Sequence, residues 1–275
     1  MNKKLILIIP VIFGVIILYL LSGFEKSEFD YKYRDESFIF NAFGNEGENL
    51  NVSDDGKLYW TSFKIELKPE FKELYNEIGV ITEPQRTIVI YPIFTASAYT
   101  SPGFYDYYKK TCDESCLTTK IQTSLIGQAS GNALQVFTLL GYDVISDVDV
   151  DINPDILKKY DKVILLHNEY VTQKEFDAIT SHPNVIYLYP NALYAKIEHN
   201  ESTNTITLIR GHGYPDESIA NGFDWEFENT NPYEYDHECK NWEFYEIDNG
   251  IMLNCYPEIQ IMKDAELLKK IKEWS

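Results

Sequence analysis

Residues 160–194, YDKVILLHNEYVTQKEFDAITSHPNVIYLYPNALY, carry the clearest secondary-structure pattern of the chain. Residues 162–166 and 185–188 are continuous apolar runs of strand length, and residues 172–180 between them have helical periodicity after a capping Thr172. Strands without polar alternation are typical of a sheet that is covered on both faces. The stretch therefore predicts a β-α-β unit with parallel strands.

The alternation of strands and helices continues on both sides of this stretch. The further predicted elements are a strand at 87–94, a helix at 119–140 that ends before Gly141, a strand at 142–145, a short helix at 154–160, and a hairpin at 193–210 folded around residues 200–204. The order β-α-β-α-β-α-β predicts an α/β domain over residues 87–210. Its parallel sheet would lie between two layers of helices, as a three-layer sandwich.

Two segments flank this domain and are predicted to be β-rich additions. Residues 25–86 predict a tether and a small entry segment, with an alternating strand at 57–67 and a helix at 69–78 that has Pro69 in its first turn and stops at Gly79. Residues 211–275 are rich in aromatic side chains and predict a hairpin turn at 248–250, followed by an amphipathic helix from Asp264.

The N-terminus predicts a membrane anchor within residues 1–24. Residues 5–24 are almost entirely apolar and reach about the 20 residues that are needed to cross the hydrocarbon core. Lys3 and Lys4 precede them, so we expect a single-pass protein of the cell membrane with a cytoplasmic N-terminus and an extracytoplasmic C-terminal domain. A cleaved signal peptide is the alternative, but Phe24 stands where a lipoprotein would need Cys and there is no Ala-x-Ala pattern.

The rest of the chain is strongly acidic. Without the two N-terminal lysines, 22 Lys and Arg face 43 Asp and Glu, which gives a net charge of −21. Such a surface repels nucleic acid and anionic lipid headgroups, so we expect no nucleic-acid partner. Because the acidic residues are dispersed, solubility of a displayed domain explains them better than cation collection does.

The four cysteines form two close pairs in the sequence, Cys112 with Cys116 and Cys239 with Cys255. An oxidising exterior makes disulfides the default, and of the three possible connectivities we favour the two local ones. A zinc site at Cys112 and Cys116 is a weak alternative, because no Cys or His pair at finger spacing accompanies them. Disulfide formation would also remove any thiol from catalysis.

Polar side chains follow two of the predicted strands. Residues 95–99 end in Tyr99, and the strand at 162–166 is followed by His167, Asn168, Glu169 and Tyr170. The carboxyl ends of parallel strands collect functional groups. A helix directly after the second strand would make a nucleophile elbow, but neither Cys nor Ser stands there, which excludes an ordinary glutamine-hydrolysing centre. The polar cluster suits general acid–base chemistry or a hard metal ion.

Other candidate sites are less persuasive. Asp147, Asp149 and Asp151 resemble the start of an EF-hand loop, but Ile152 replaces the required Gly, so we interpret them as the polar face of a strand. The five histidines have no ligand partner at helical spacing. Among them, His212 is flanked by glycines, which permit an exposed imidazole.

The motifs of residues 160–194 resemble the C-terminal domain of the large subunit of N,N-dimethylformamidase. That family has a strand ending in Gly-His-x-Glu-Tyr-Trp and a later Asn-x-x-Tyr-Trp; the matches here are Glu169-Tyr170 and Asn191 with Tyr194. Val171 and Ala195 stand where the family has tryptophan. The resemblance implies a fold of the class I glutamine-amidotransferase-like or flavodoxin-like type, and hydrolysis of a small amide with one iron ion held by tyrosines and a glutamate.

Carried over by motif, the resemblance implies that Glu169 is a carboxylate ligand of the iron ion, with Tyr99 as the candidate phenolate ligand. His167 would then shuttle protons beside Glu169, and Asn168, Tyr170 and Asn191 would contact a small-molecule substrate. A third metal ligand is not placed by motif. The alternative function is a catalytically inactive surface protein that keeps the same fold as a binding or structural module.

Overall fold

The computed structural model describes residues 31–33, 37–44, 50–52, 58–60, 64–81, 83, 86–122, 129–226, 236, 238–257 and 259–275. The described strands are β1 (Tyr31–Tyr33), β2 (Phe40–Gly44), β3 (Leu50–Val52), β4 (Leu58–Trp60), β5 (Lys64–Leu67), β6 (Thr87–Tyr91), β7 (Thr118–Lys120), β8 (Asp143–Ser146), β9 (Lys162–Leu165), β10 (Tyr170–Val171), β11 (Val185–Tyr187), β12 (Ala195–Asn200), β13 (Thr205–Arg210), β14 (Phe244–Ile247) and β15 (Gly250–Leu253). The described α-helices are α1 (Lys72–Ile78), α2 (Ile93–Ala98), α3 (Phe104–Tyr108), α4 (Ala129–Leu139), α5 (Asp147–Ile152), α6 (Gln173–Thr180) and α7 (Ala265–Glu273). Short 3₁₀ helices lie at Pro69–Phe71, Glu114–Leu117, Pro154–Lys159 and Gln260–Met262.

A six-stranded sheet in the order β14-β15-β11-β9-β6-β8 forms the centre of a mixed α/β fold. Strands β15, β11, β9, β6 and β8 are parallel, and β14 joins the edge as the antiparallel partner of β15. Val163 pairs with Val185 in the predicted β-α-β unit, which is confirmed. The hairpin β14–β15 extends this sheet, so residues 211–275 contribute strands to the same sheet as residues 87–210.

Helices cover both faces of the central sheet. Ile164 and Ile186 point into one core with Phe137 of α4, and that core also holds apolar residues of α1 and α7. Val163 and Leu165 point into the other core, where α5 and α6 pack. Because successive residues of a strand face opposite sides, a continuous apolar run fills both cores. The layers are therefore helix, sheet and helix.

A second sheet, in the order β10-β12-β13-β7, lies beside the central one. Its hairpin β12–β13 turns at residues 201–204, as predicted. Two smaller sheets, β1-β2-β5 and β3-β4, lie in the entry segment. The predicted strand at 57–67 corresponds there to β4 and β5, with residues 61–63 outside the described range, and the predicted helix at 69–78 corresponds to a 3₁₀ turn and α1 with Gly79 as its C-cap.

Three predictions of local structure are wrong. The strand predicted to reach residue 94 ends at Tyr91, because α2 begins after Pro92 with its first amides bound by a carboxylate of α5. The helix predicted from residue 119 covers only Ala129–Leu139 in the described chain, since Thr118–Lys120 pairs with β13 as strand β7. The predicted elbow is absent, because β10 lies between β9 and α6.

The aspartates at 147, 149 and 151 are on a helix and not on the polar face of a strand. Ser146 and Asp149 form a capping box at the start of α5, in which the Ser146 hydroxyl accepts from the Asp149 amide and the Asp149 carboxylate accepts from the Ser146 amide. Asp147 and Asp151 are buried. The sequence alternates as a strand does, because a capped helix of six residues is too short to show the helical period of its apolar positions.

The two predicted disulfides, Cys112–Cys116 and Cys239–Cys255, are both formed. All four cysteines are therefore bridged, and none has a free thiol. The predicted anchor at 1–24 lies outside the described residues. Among the residues that are described, no helix is long and apolar enough to cross a membrane.

Candidate functional site

The candidate site lies at the carboxyl ends of three adjacent parallel strands. Tyr99 follows α2 after β6, His167 and Glu169 follow β9, and Asn191 follows β11. His212 reaches the same place from the loop after β13. The parallel topology therefore gathers side chains that are far apart in the sequence at one edge of the sheet.

The backbone around Glu169 is fixed on both sides. The hydroxyl of Thr95 in α2 accepts the amide of Glu169 at 3.0 Å and that of Tyr170 at 3.1 Å. The carbonyl oxygen of Glu169 accepts the amides of Tyr194 and Ala195, each at 2.9 Å. The loop after β9 is thus tied to α2 and to the start of β12, and this holds Glu169 in place.

Three polar side chains converge on the carboxylate of Glu169, which is 1% exposed. His212 contacts its Oε1 through Nε2, and the Tyr99 hydroxyl donates to its Oε2. His167 places its Nε2 3.5 Å from the same Oε2. This group of Tyr99, His167, Glu169 and His212 is called the Glu169 centre below.

The environment keeps Glu169 ionised and Tyr99 protonated. Burial raises the pKa of the Glu169 carboxyl, but the two imidazoles and the Tyr99 hydrogen bond outweigh it, so the pKa lies below its ordinary value. Burial and the negative charge of Glu169 both raise the pKa of the Tyr99 phenol well above its ordinary value. At neutral pH the pair is therefore a carboxylate that accepts from a phenol.

His167 is held by three neighbours. Its ring stacks on Tyr189 with centroids 4.8 Å apart, and its backbone amide donates to the Ser130 hydroxyl at 3.1 Å. Asn191 lies with its side-chain nitrogen 3.0 Å from Nε2 of His167. The side-chain amide of Asn191 therefore fixes the orientation of the His167 ring.

The other two predicted substrate-contacting residues are fully buried. Tyr170 stacks on His212 with ring centroids 5.5 Å apart, and its hydroxyl donates to the Tyr108 hydroxyl at 3.4 Å. The side-chain amide of Asn168 has no hydrogen-bond partner among the described residues. Tyr170 therefore packs against His212 of the Glu169 centre, and the side chains of both residues are closed off from solvent.

His212 is the member of the centre that motif reasoning did not place. Gly211, His212 and Gly213 have φ values of 121°, 53° and 76°, a left-handed run that glycine permits on both sides of the histidine. A Cβ at Gly211 would lie 2.9 Å from the Cα of Ala195. The two glycines let the loop pass close to β12, and this brings the imidazole of His212 to Glu169. In the sequence, the Gly-His-Gly pattern was the feature that could have pointed to His212.

No protein-family model matches the chain, and a comparison with curated proteins gives no significant match.

The Glu169 centre offers oxygen and imidazole donors. Within the described residues, no group of three or more His, Cys, Asp or Glu side chains is arranged to hold a metal ion. The donors of the centre are a carboxylate oxygen, a phenol oxygen and imidazole nitrogens. Oxygen and imidazole donors are ligands that iron and zinc accept.

A cleft of about 880 Å³ opens beside His212. We call it the tyrosine cleft; it is lined by Tyr105, Tyr107, Tyr108, Lys110, Thr111, Cys112, Asp113, His212, Gly213 and Glu217. Its wall begins in α3 and continues through the loop that the Cys112–Cys116 disulfide closes. Since His212 lines the cleft and also contacts Glu169, the cleft and the Glu169 centre share this side chain as a wall.

Proposed function

We propose that this chain hydrolyses a C–N bond of a small-molecule amide at the Glu169 centre, on a fold of the glutamine-amidotransferase-like type. The observation that carries the proposal is the convergence of Tyr99, His167 and His212 on one buried, ionised carboxylate at the strand ends. The parallel central sheet with helices on both faces supports the fold assignment. The apolar segment at 5–24 supports a display of this centre outside the cell membrane.

The residues divide the reaction between them. Water adds to the amide carbonyl carbon, the C–N bond breaks, and the departing nitrogen takes a proton, so that an acid and an amine are formed. His167 is the residue that would move this proton, because its Nε2 lies within 3.5 Å of both Glu169 and the Tyr99 hydroxyl. Asn191 keeps the ring in position, and the burial of Glu169 keeps bulk water from its carboxylate.

Glu169, Tyr99 and His212 are the residues that would hold a metal ion, iron in the first place. When bound, such an ion supplies Lewis acidity and lowers the pKa of a coordinated water. The phenol of Tyr99 would have to lose its proton, and its raised pKa makes that loss unfavourable in the free protein. We therefore expect metal uptake to release a proton and to strengthen as the pH rises.

Metal analysis with a visible spectrum tests this proposal. The full chain, expressed in metal-replete medium, should carry close to one iron ion and show a tyrosinate-to-iron charge-transfer band. Tyr99→Phe should abolish the band, whereas Tyr187→Phe should keep it. Tyr187 is a buried tyrosine whose hydroxyl donates to Asn249, in the turn between β14 and β15. A wild-type chain without stoichiometric metal, or a band that survives Tyr99→Phe, would refute the metal assignment.

The alternative is an inactive surface module, and one observation favours it. Both carboxylate oxygens of Glu169 already have protein partners, as in a purely structural network. In that case, Glu169→Gln combined with Tyr99→Phe would lower the stability of the fold but leave metal content and partner binding unchanged. A loss of metal in the double variant would decide for the hydrolase.

A further inference from the structure

The tyrosine cleft combines aromatic rings with an excess of negative charge. Tyr105, Tyr107 and Tyr108 line it and are each partly exposed. Asp113 and Glu217 contribute two exposed carboxylates, against one exposed ammonium group from Lys110. Hydrogen bonds from Ser115 lower the pKa of the Asp113 carboxyl, so it stays ionised at neutral pH.

The cleft and the Glu169 centre share a wall. The ring of His212 lies 5.2 Å from that of Tyr108 in the cleft, while its Nε2 contacts Glu169. Tyr105 packs edge-on against Tyr99, with ring centroids 4.7 Å apart. A ligand in the cleft would therefore be separated from the centre by one layer of rings. The cleft has a volume of about 880 Å³, which is enough for a small organic ligand.

Tyrosine rings attract cations to their faces through the ring quadrupole, and this attraction is used to bind quaternary ammonium groups. Carboxylates at the rim of an aromatic pocket add to the attraction, and a chain of net charge −19 draws cations from solution and repels anions. We propose that the tyrosine cleft binds an organic cation that carries an alkylated ammonium group.

A pair of isosteric probes tests the charge requirement. Choline and 3,3-dimethylbutan-1-ol have nearly the same shape, but only choline carries a positive charge. In titrations of the full chain followed by NMR or calorimetry, choline should bind about 2- to 30-fold more tightly than the neutral alcohol. Added salt should weaken choline binding and leave the alcohol unaffected. Equal affinities of the two probes would overturn the inference.

Variants locate the binding to the cleft. Tyr107→Leu should weaken choline several-fold and Glu217→Gln should weaken it about 2-fold, whereas Lys110→Met should strengthen it because it removes the competing cation. Tyr160→Leu, which changes a partly exposed tyrosine outside the cleft, is the matched control and should bind as the wild type does. Unchanged binding in both Tyr107→Leu and Glu217→Gln would refute this location.

The two proposals fail in different ways. Glu169→Gln should still bind choline, because this residue lies behind His212 and does not line the cleft. Choline binding in a chain that carries no metal and cleaves no amide would leave the cleft assignment standing and remove the hydrolase. A metal-loaded chain that does not discriminate choline from the alcohol would leave the hydrolase and remove the cation.

Discussion

Glu175 offers a sharp test of the electrostatics of this fold. It lies in the first turn of α6, it is fully buried, and both its carboxylate oxygens are without a hydrogen-bond partner among the described residues. Burial raises its pKa well above the ordinary value, and the nearby carboxylates of Asp147 and Asp151 raise it further. Asp151 itself is paired with His199 at 2.8 Å, so that imidazole does not compensate Glu175.

We predict that Glu175→Met stabilises the protein. A buried polar group without a partner costs about 1–3 kcal/mol, and an apolar side chain of similar shape removes that cost. Glu175→Gln removes only the charge. Because the pKa of Glu175 is raised in the folded state, the folded protein binds more protons than the unfolded chain. The free energy of unfolding therefore falls as the pH rises from the pKa of Glu175 in the unfolded chain to its pKa in the folded protein. Above the folded pKa, the contribution of Glu175 no longer changes with pH.

Urea denaturation between pH 4 and pH 8 measures both effects. Glu175→Met should gain on the order of 1–3 kcal/mol at pH 7.5, and its stability should fall less steeply with pH than that of the wild type. Glu175→Gln should equal the wild type near pH 4 and exceed it at pH 7.5. Glu73→Gln, at an exposed position of α1, should follow the wild type throughout. If Glu175→Met is less stable than the wild type at pH 7.5, Glu175 has a stabilising partner and the reasoning is wrong.

Three further predictions concern the bridges and buried groups. The Cys239–Cys255 bridge closes a span of 16 residues and the Cys112–Cys116 bridge a span of 4. Because a longer closed loop restricts the unfolded chain more, Cys239→Ala should lower the free energy of unfolding by about 3 kcal/mol and Cys112→Ala by about 2 kcal/mol. Urea denaturation under non-reducing conditions measures both. Burial lowers the pKa of Lys162 to about 8, so the wild type should gain stability as the pH rises from 8 to 10 while Lys162→Met shows less of this rise. Asp147→Ala leaves two buried amides of α2 and one part-buried amide of α5 without their acceptor and should cost roughly 2–4 kcal/mol, which calorimetry can measure.

Much of the central sheet could be predicted because its strands are buried on both faces. Val163, Ile164 and Leu165 leave no polar alternation, and flanking helices with clear caps separate them from the next strand. The failures lie where tertiary contacts decide. Thr118–Lys120 is a strand because β13 offers it a partner, and no local pattern reports that pairing. The addition of β15 to the sheet is equally nonlocal, since about 60 residues separate it from β11.

The Glu169 centre shows why three of its four residues could be predicted from the sequence and the fourth, His212, could not. His167 and Glu169 directly follow β9, and Tyr99 caps the short helix after β6, so all three lie in connections that leave the carboxyl ends of neighbouring parallel strands. His212 follows β13, which belongs to the other sheet, so no rule about strand order in the central sheet could bring it to Glu169. The position of His212 follows from the hairpin. The amide of Tyr194 donates to Glu169, and β12 begins at the next residue. Because β13 runs back along β12, it ends beside the start of β12 and therefore close to Glu169. The hairpin itself was predicted from the sequence. Its contact with Glu169 was not, and that contact brings His212 to the carboxylate.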